Sequence, residues 1–193
     1  MELREKDFRL GKIHGKTSPQ KKRSEATVQR NLFLGQRITI VRKRDGRFNP
    51  VVRIFAYEVP LEKVSRGRCI DLLGYDQDKN LYIFELKIEK STEKLSKVNR
   101  QINDYANKLR KIQKCIEQEF NEEFFFTVKF KEIKKIVVAP CEFYKNKKNK
   151  GDDNYESDIE YLYYANQSVF EKDDIPPDVK LHVWKKGVKR KCD

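Results

Sequence analysis

Leu95, Val98, Ile102, Tyr105, Leu109, Ile112, Ile116 and Phe120 recur at spacings of three and four residues. That period predicts one long helix with a single apolar stripe, its start capped by Ser91 or Thr92. The stripe has to be buried, and the segment just before it offers a partner. RCIDLLGYDQDKNLYIFELKIE reads as two strands, about 68–75 and 80–88, joined by the turn-forming stretch from Asp76 to Asn80. A hairpin followed at once by an amphipathic helix is therefore the centre of the fold.

The flanking elements extend this pattern. Ser24 offers an N-cap for EATVQRNLFLG, and Gly35 is placed to end that first helix. Two β-rich runs, 37–43 and 51–59, are separated by the turn signal DGRFNP. After the long helix, FFFTVKF and IKKIVVAP read as strands, the second buried on both faces because its apolar run does not alternate. Residues 142–158 read as an exposed polar loop, and IEYLYYANQSVF and VKLHVW as further β-structure around the turn DDIPPD. With 193 residues, one domain accommodates all of this. The expected division is a basic arm over 1–23, a core over 24–140, and a C-terminal β-containing extension with a basic tail over 141–193, packed on the same domain.

Charge narrows the partner. The net charge is +13, and residues 1–50 alone hold 14 Lys/Arg against 5 Asp/Glu. Such asymmetry suits a polyanion, because Lys and Arg near phosphates release condensed counterions. Lys21, Lys22, Arg23, Arg30, Arg42, Lys43, Arg44 and Arg47 are the candidate phosphate contacts in the first part, and Lys185, Lys186, Lys189 and Arg190 in the tail. An anionic membrane would call for a basic amphipathic helix with bulky apolar residues, which KIHGKTSPQKKRSEA is not. Neither a secretory h-region nor an apolar run long enough to span a bilayer is present. Cys69, Cys115, Cys141 and Cys192 form no C-x-x-C pair, and His14 and His182 are the only histidines. A structural zinc is disfavoured, and the cysteines read as reduced thiols in a cytoplasmic protein.

The chemistry concentrates in LYIFELK. By the two-residue strand period, Leu81, Ile83, Glu85 and Lys87 share one face and Tyr82, Phe84 and Leu86 the other. If the hairpin turns about Asp78, residues whose numbers sum to 156 face each other, which sets Asp71 opposite Glu85. Directly opposed Cβ atoms lie roughly 4.5–5.5 Å apart, so two carboxylates there repel unless a cation sits between them. Mg²⁺ meets that need, since it takes one or two carboxylates and completes its shell with water and phosphate oxygens. Lys87, one diagonal step away, is placed to orient an attacking water.

RCIDLLGYD followed by LYIFELK resembles motifs II and III of the restriction-endonuclease-like PD-(D/E)xK nuclease superfamily, in particular its RecB-like and NucS-like members. The resemblance covers about residues 24–140. It implies an α/β fold with an αβββαβ core, a mixed central sheet flanked by helices. It implies that Asp71 and Glu85 bind Mg²⁺ or Mn²⁺, with help from the main-chain carbonyl of Leu86, and that Lys87 assists the nucleophilic water. Family members often add a Glu from the first helix, which Glu25 matches, with Glu58 as a rival. They also carry a Gln and a Tyr on the helix after motif III, matched by Gln101 and Tyr105. A chain this charged produces E-x-K by chance, as in Glu132-Ile133-Lys134, but only Glu85 and Lys87 combine a hairpin partner, apolar flanks and a following helix. The expected function is a Mg²⁺-dependent nuclease, an endonuclease in the first instance, acting on DNA in preference to RNA. A homodimer is the arrangement expected where one active site per chain must cut two strands. The alternatives are a catalytically silent nuclease-fold binder of nucleic acid and a charged protein-interaction scaffold.

Overall fold

The computed structural model describes residues 25–42, 49–61, 69–125, 127–152, 154–164 and 179–184. The elements in chain order are α1 (Glu25–Gly35), β1 (Arg37–Val41), β2 (Val51–Pro60), β3 (Cys69–Tyr75), β4 (Leu81–Leu86), α2 (Leu95–Phe124), β5 (Ile133–Pro140), α3 (Cys141–Asn149), β6 (Ile159–Tyr164) and β7 (Val179–Val183). From β1 to β4 neighbouring strands pair antiparallel, β4–β5 and β5–β6 pair parallel, and β6–β7 pair antiparallel. β7 then runs parallel to β1, Ile38 facing Val179 and Val41 facing His182, so the sheet closes into a seven-stranded mixed barrel.

Closure overturns the expected restriction-endonuclease-like architecture, in which an unclosed mixed sheet is flanked by helices. The strand that closes the barrel lies in the segment read as a C-terminal extension. Its five residues, VKLHV, carry no local sign of which strand they join. Joining β1 to β7 pairs backbone groups that would otherwise form open edges.

Alternation along the strands divides the apolar residues into two clusters. All seven strands contribute to the one that packs on α1, through residues such as Ile38, Val52, Leu72, Phe84, Val138, Leu162 and Leu181 against Val28, Leu32 and Phe33. The opposite face, from β2 through β6, packs on α2 and α3, where the whole predicted stripe from Leu95 to Phe120 is buried together with Phe143 and Tyr144. Glu58 lies between the two patterns with a left-handed backbone, φ 49°. Tyr57 on its one side belongs to the α1 cluster and Val59 on the other to the α2 cluster, a reversal that a regular two-residue period would not give.

Three local expectations are corrected. FFFTVKF is not a strand: α2 continues through Phe124, and the extended chain after it bonds to side chains of that helix. Asn121 pairs with both backbone groups of Val128, Glu117 accepts the Phe130 N–H, and Gln113 donates to the Phe130 carbonyl. The supposed loop 142–158 contains α3, which starts directly after Pro140 and buries Phe143, Tyr144 and Lys147, positions three and four apart. Neither Ser91 nor Thr92 caps α2. Its first residue is Leu95, whose N–H donates to the Asp152 carboxylate at 2.7 Å, a cap supplied from beyond α3.

Cys69 and Cys115 are not in disulfides, but Cys141 is disulfide-bonded, against the expectation that all four cysteines are reduced. No helix among the described residues is long and apolar enough to cross a membrane.

Where β2 and β3 approach most closely, Gly74 leaves no room for a side chain. A Cβ there would lie 2.7 Å from Val52 Cγ1, 2.8 Å from the Arg53 carbonyl oxygen and 2.9 Å from Ile54 Cδ1. The β2–β3 register shifts at this point, between Ile54 and Ala56. Since one of the contacts is backbone, it cannot be relieved by a rotamer change. Gly74→Ala is expected to destabilise the fold by about 1–3 kcal/mol, read in urea as a lower midpoint at unchanged slope.

Candidate active site

The β3–β4 ladder has the register inferred from the turn: Leu72 faces Phe84, Leu73 faces Ile83, Gly74 faces Tyr82 and Tyr75 faces Leu81. Each pair sums to 156. Pairing stops at Leu72–Phe84, one step before Asp71 and Glu85. There the Asp71 carboxylate takes over the role of a strand partner, its Oδ2 accepting the Leu86 N–H at 2.7 Å. α1 fixes the other side of Asp71, whose main-chain carbonyl accepts a hydrogen bond from Gln29 Nε2 at 2.8 Å.

Glu85 and Lys87 follow on the same face of the strand. Glu85 is 1% exposed, and one carboxylate oxygen, Oε1, lies 2.8 Å from Lys87 Nζ. The other, Oε2, is buried with no hydrogen-bond partner. Lys87 is itself buried. Its ammonium also lies 3.2 Å from Glu93 Oε2 and 3.7 Å from Glu25 Oε1. The main chain of Lys87 continues the β4–β5 ladder by donating to the Val138 carbonyl at 2.8 Å, which holds the side chain's origin in place.

Three carboxylates thus converge on a single buried ammonium, with the charge of Asp71 also felt there, and the electrostatics reflect the imbalance. Burial, then the Glu85 charge, push the Asp71 carboxyl well above its ordinary range, although the Leu86 N–H works the other way. Burial raises Glu85 from 4.5 to about 7 despite the opposing pull of Lys87. Glu25 is also raised by burial, with Lys87 again opposing. For Lys87 burial works to lower the ammonium, but Glu85 and Glu25 outweigh it and the net shift is upward. Only Glu93 is lowered, chiefly by its hydrogen bond from Lys97. Both partners of the central pair are shifted upward, which favours the charged ammonium but the neutral carboxyl, because Lys87 has several anions around it, whereas Glu85 has one cation and an unpartnered oxygen.

Gln101 and Tyr105 of α2 lie at the edge of this field. Gln101 Nε2 donates to the Tyr105 hydroxyl at 2.9 Å. Burial first, then the charges of Glu85 and Asp71, push that hydroxyl up to about 12, so it remains a proton donor at neutral pH.

Among the sequence candidates, Asp71, Glu85, Lys87 and Glu25 come together, and Leu86 takes part through its N–H. Within a strand the N–H and C=O of one residue point to the same edge, so the Leu86 carbonyl also faces the Asp71 side. Glu58 is exposed at the strand reversal described above. Glu93 and Gln29 were not singled out from sequence. Gln29 was within reach, being four residues from Glu25 and so on the same face of α1. Glu93 had no comparable signal, since it lies in the irregular stretch before α2.

Asp71 and Glu85 suit a hard divalent cation. Glu85 Oε2 is buried with no hydrogen-bond partner, which leaves an oxygen that could serve as a ligand. Among the described residues no three His, Cys, Asp or Glu side chains form a ready-made cage. Mg²⁺ does not need one, because it is held by one or two carboxylates and retains water.

The basic candidates are less informative. Lys21, Lys22, Arg23, Lys43, Arg44, Arg47, Lys185, Lys186, Lys189 and Arg190 lie outside the described residues. Arg42 forms a two-pronged ion pair with Glu160, at 3.1 and 2.9 Å, so its guanidinium is already engaged. Arg30 is half-buried, its Nε without a hydrogen-bond partner. Comparison with family models, with curated proteins and with solved structures finds no match to this chain.

Proposed function

We propose that the chain is a divalent-metal-dependent nuclease that hydrolyses phosphodiester bonds of DNA, with Asp71, Glu85 and Lys87 at its centre. The observation that carries this reading is the buried Glu85 carboxylate, which is paired through one oxygen to Lys87 and is unsatisfied at the other, beside the raised Asp71. Two carboxylates and an amine on adjacent strands make up the residue set of the PD-(D/E)xK motifs, and the nuclease assignment is carried over from them without the expected fold.

In this reading Asp71 and Glu85 hold Mg²⁺ or Mn²⁺, with the Leu86 carbonyl as an additional oxygen ligand. The bound ion supplies Lewis-acid polarisation of a phosphate and a more acidic water. Lys87 supplies a proton donor aimed at the same place. Its raised pKa keeps it an ammonium in the free protein, so it acts by orienting the water and offsetting negative charge on the phosphorane rather than as a base. Glu93 and Glu25 also contact the ammonium and limit its rotation. Leu86 N–H and Gln29 fix Asp71 before any ligand arrives, which removes an ordering cost from binding.

The direct test is cleavage of plasmid and oligonucleotide DNA in Mg²⁺ and in Mn²⁺. Asp71→Asn keeps an oxygen to accept the Leu86 N–H and removes the charge. It is expected to lower the metal-stimulated rate by about 100-fold or more while leaving DNA affinity in EDTA within about twofold. Absence of cleavage by the native protein with either metal would reject the enzyme reading in favour of a silent nucleic-acid binder.

A second expectation concerns stability. A carboxyl raised from 4.5 to about 7 takes up a proton on folding within that interval, so the metal-free protein loses stability as the pH rises from about 4.5 to 7. The loss from Glu85 is on the order of 2–3 kcal/mol, and Asp71 acts in the same direction. A divalent cation favours the ionised carboxylates and should restore the stability above pH 7. Thermal denaturation across this pH range, with Mg²⁺ and with EDTA, is expected to show midpoints that converge in acid and separate in base. In Asp71→Asn the separation should be lost.

A further inference from the structure

At the opposite end of β3 from Asp71, a cavity of about 470 Å³ opens between the C-terminal ends of α1 and α2 and the start of β1. Tyr75, one of its lining residues, is four residues from Asp71 along the strand, or about 13 Å. The cavity is therefore separate from the carboxylate cluster.

Its walls are aromatic and fixed in place. Phe120 stands edge-on to Phe55, with ring centres 5.0 Å apart, and to Tyr75 at 5.3 Å. Phe124 packs against Phe120 at 4.8 Å and is the outermost ring, 41% exposed. Phe33, Ile54, Gln36, Arg37 and Arg53 complete the lining.

The two arginines are the unexpected part. Arg37 of β1 and Arg53 of β2 are direct partners in the antiparallel register, so their side chains leave the same face side by side. Like charges directly opposed across a strand pair are destabilising. Among the described residues neither guanidinium has an ion-pair or hydrogen-bond partner, and no Asp or Glu lines the cavity. Two unpaired guanidiniums above an apolar, aromatic hollow complement a ligand that has an anion at one end and a flat ring at the other.

We infer that this cavity binds a nucleotide, with the base against Phe124 and Phe120 and the phosphate between Arg37 and Arg53. The volume suits a ligand of that size. Arg favours phosphate through its planar fork of donors, and an aromatic face accepts any base by stacking. The exposed Gln36 amide offers a donor and an acceptor to the base edge. This site goes beyond the nuclease reading and does not rest on it, because it requires neither the metal nor Lys87.

The nucleotide comes either free or as one unit of a nucleic acid strand. Both sources are tested with the full chain carrying Asp71→Asn, in EDTA, so that binding is read without cleavage. The probes are AMP, followed by calorimetry, and a fluorescein-labelled single-stranded oligonucleotide, followed by anisotropy at several salt concentrations. The variants are Arg37→Ala/Arg53→Ala and Phe124→Ala, with Lys111→Ala/Lys114→Ala on the exposed face of α2 as a charge-matched control. All of these positions are solvent-accessible, and circular dichroism with thermal midpoints checks that the variants fold.

The arginine pair is expected to weaken binding about tenfold or more and to reduce the salt slope for the oligonucleotide by about 0.7, for the one phosphate no longer neutralised. Phe124→Ala is expected to weaken it by about fivefold or more with the slope unchanged. Loss on both probes assigns the cavity to a free nucleotide as well, and loss on the oligonucleotide alone assigns it to a unit within a strand. The inference is overturned if neither variant weakens either probe, or if the lysine control weakens binding as much as the arginine pair. Failure of the nuclease reading would show instead as native protein that binds but does not cut.

Discussion

The Leu86 N–H is the point on which the candidate site depends. In a continuing antiparallel ladder it would find a carbonyl on β3. Pairing ends at Leu72 instead, and the Asp71 carboxylate reaches across to accept that N–H. The carboxyl oxygen satisfies a backbone donor that would otherwise be left without its ladder partner. The bond also holds the carboxylate beside Glu85 in a place where repulsion would otherwise drive the two apart. The departure of β3 from the ladder thus satisfies a backbone group and sets the half-buried Asp71 carboxyl beside the buried Glu85 at the same time.

The barrel provides what such a pair requires. β4 is buried along its whole length, with Tyr82, Phe84 and Leu86 facing the α1 cluster and Leu81 and Ile83 the α2 cluster. Helices on both sides of this strand then contribute to the site. Gln29 and Glu25 come from α1, the turn before α2 brings Glu93, and α2 itself brings Gln101 and Tyr105. A strand at the sheet's edge, with one face in water, would have let Glu85 solvate its second oxygen. Closure and double coverage are what keep that oxygen dry.

How far this could be read from sequence differs from residue to residue. The β3–β4 register followed from the turn alone, because a tight hairpin couples its two strands locally and the sum rule then fixes every pair. The stripe from Leu95 to Phe120 was equally legible, since a helix announces its buried face through its own period. Closure was not legible. VKLHV has no local feature that distinguishes an edge strand from one that pairs with β1, and pairings between distant segments are settled by the whole sheet. The segment FFFTVKF misled for a related reason. Its apolar and β-favouring residues are real, but Asn121, Glu117 and Gln113 of α2 offer its backbone nearer partners than any strand does. In the site, Asp71, Glu85 and Lys87 could be found because they lie on one hairpin, whereas Glu93 is placed by the path of the turn before α2 and by Asp152 capping that helix from afar.

The composition of the cluster bears on what it is for. A buried ion pair can often be replaced by apolar side chains of similar volume with no loss of stability, or with a gain. Here the arrangement is costlier than a simple pair. Glu25, Asp71, Glu85 and Glu93 stand against Lys87 and the exposed Lys97, so full ionisation leaves an excess of negative charge in a poorly solvated place. Burial raises the carboxyls of Asp71, Glu85 and Glu25, which favours their neutral forms and reduces that excess. A cluster serving packing alone would be more stable with fewer acids or with a partner for Glu85 Oε2. One that trades protons for a divalent ion needs acids in excess, an oxygen left without a partner, and a cation of its own held to one side. The geometry around Glu85 has all three.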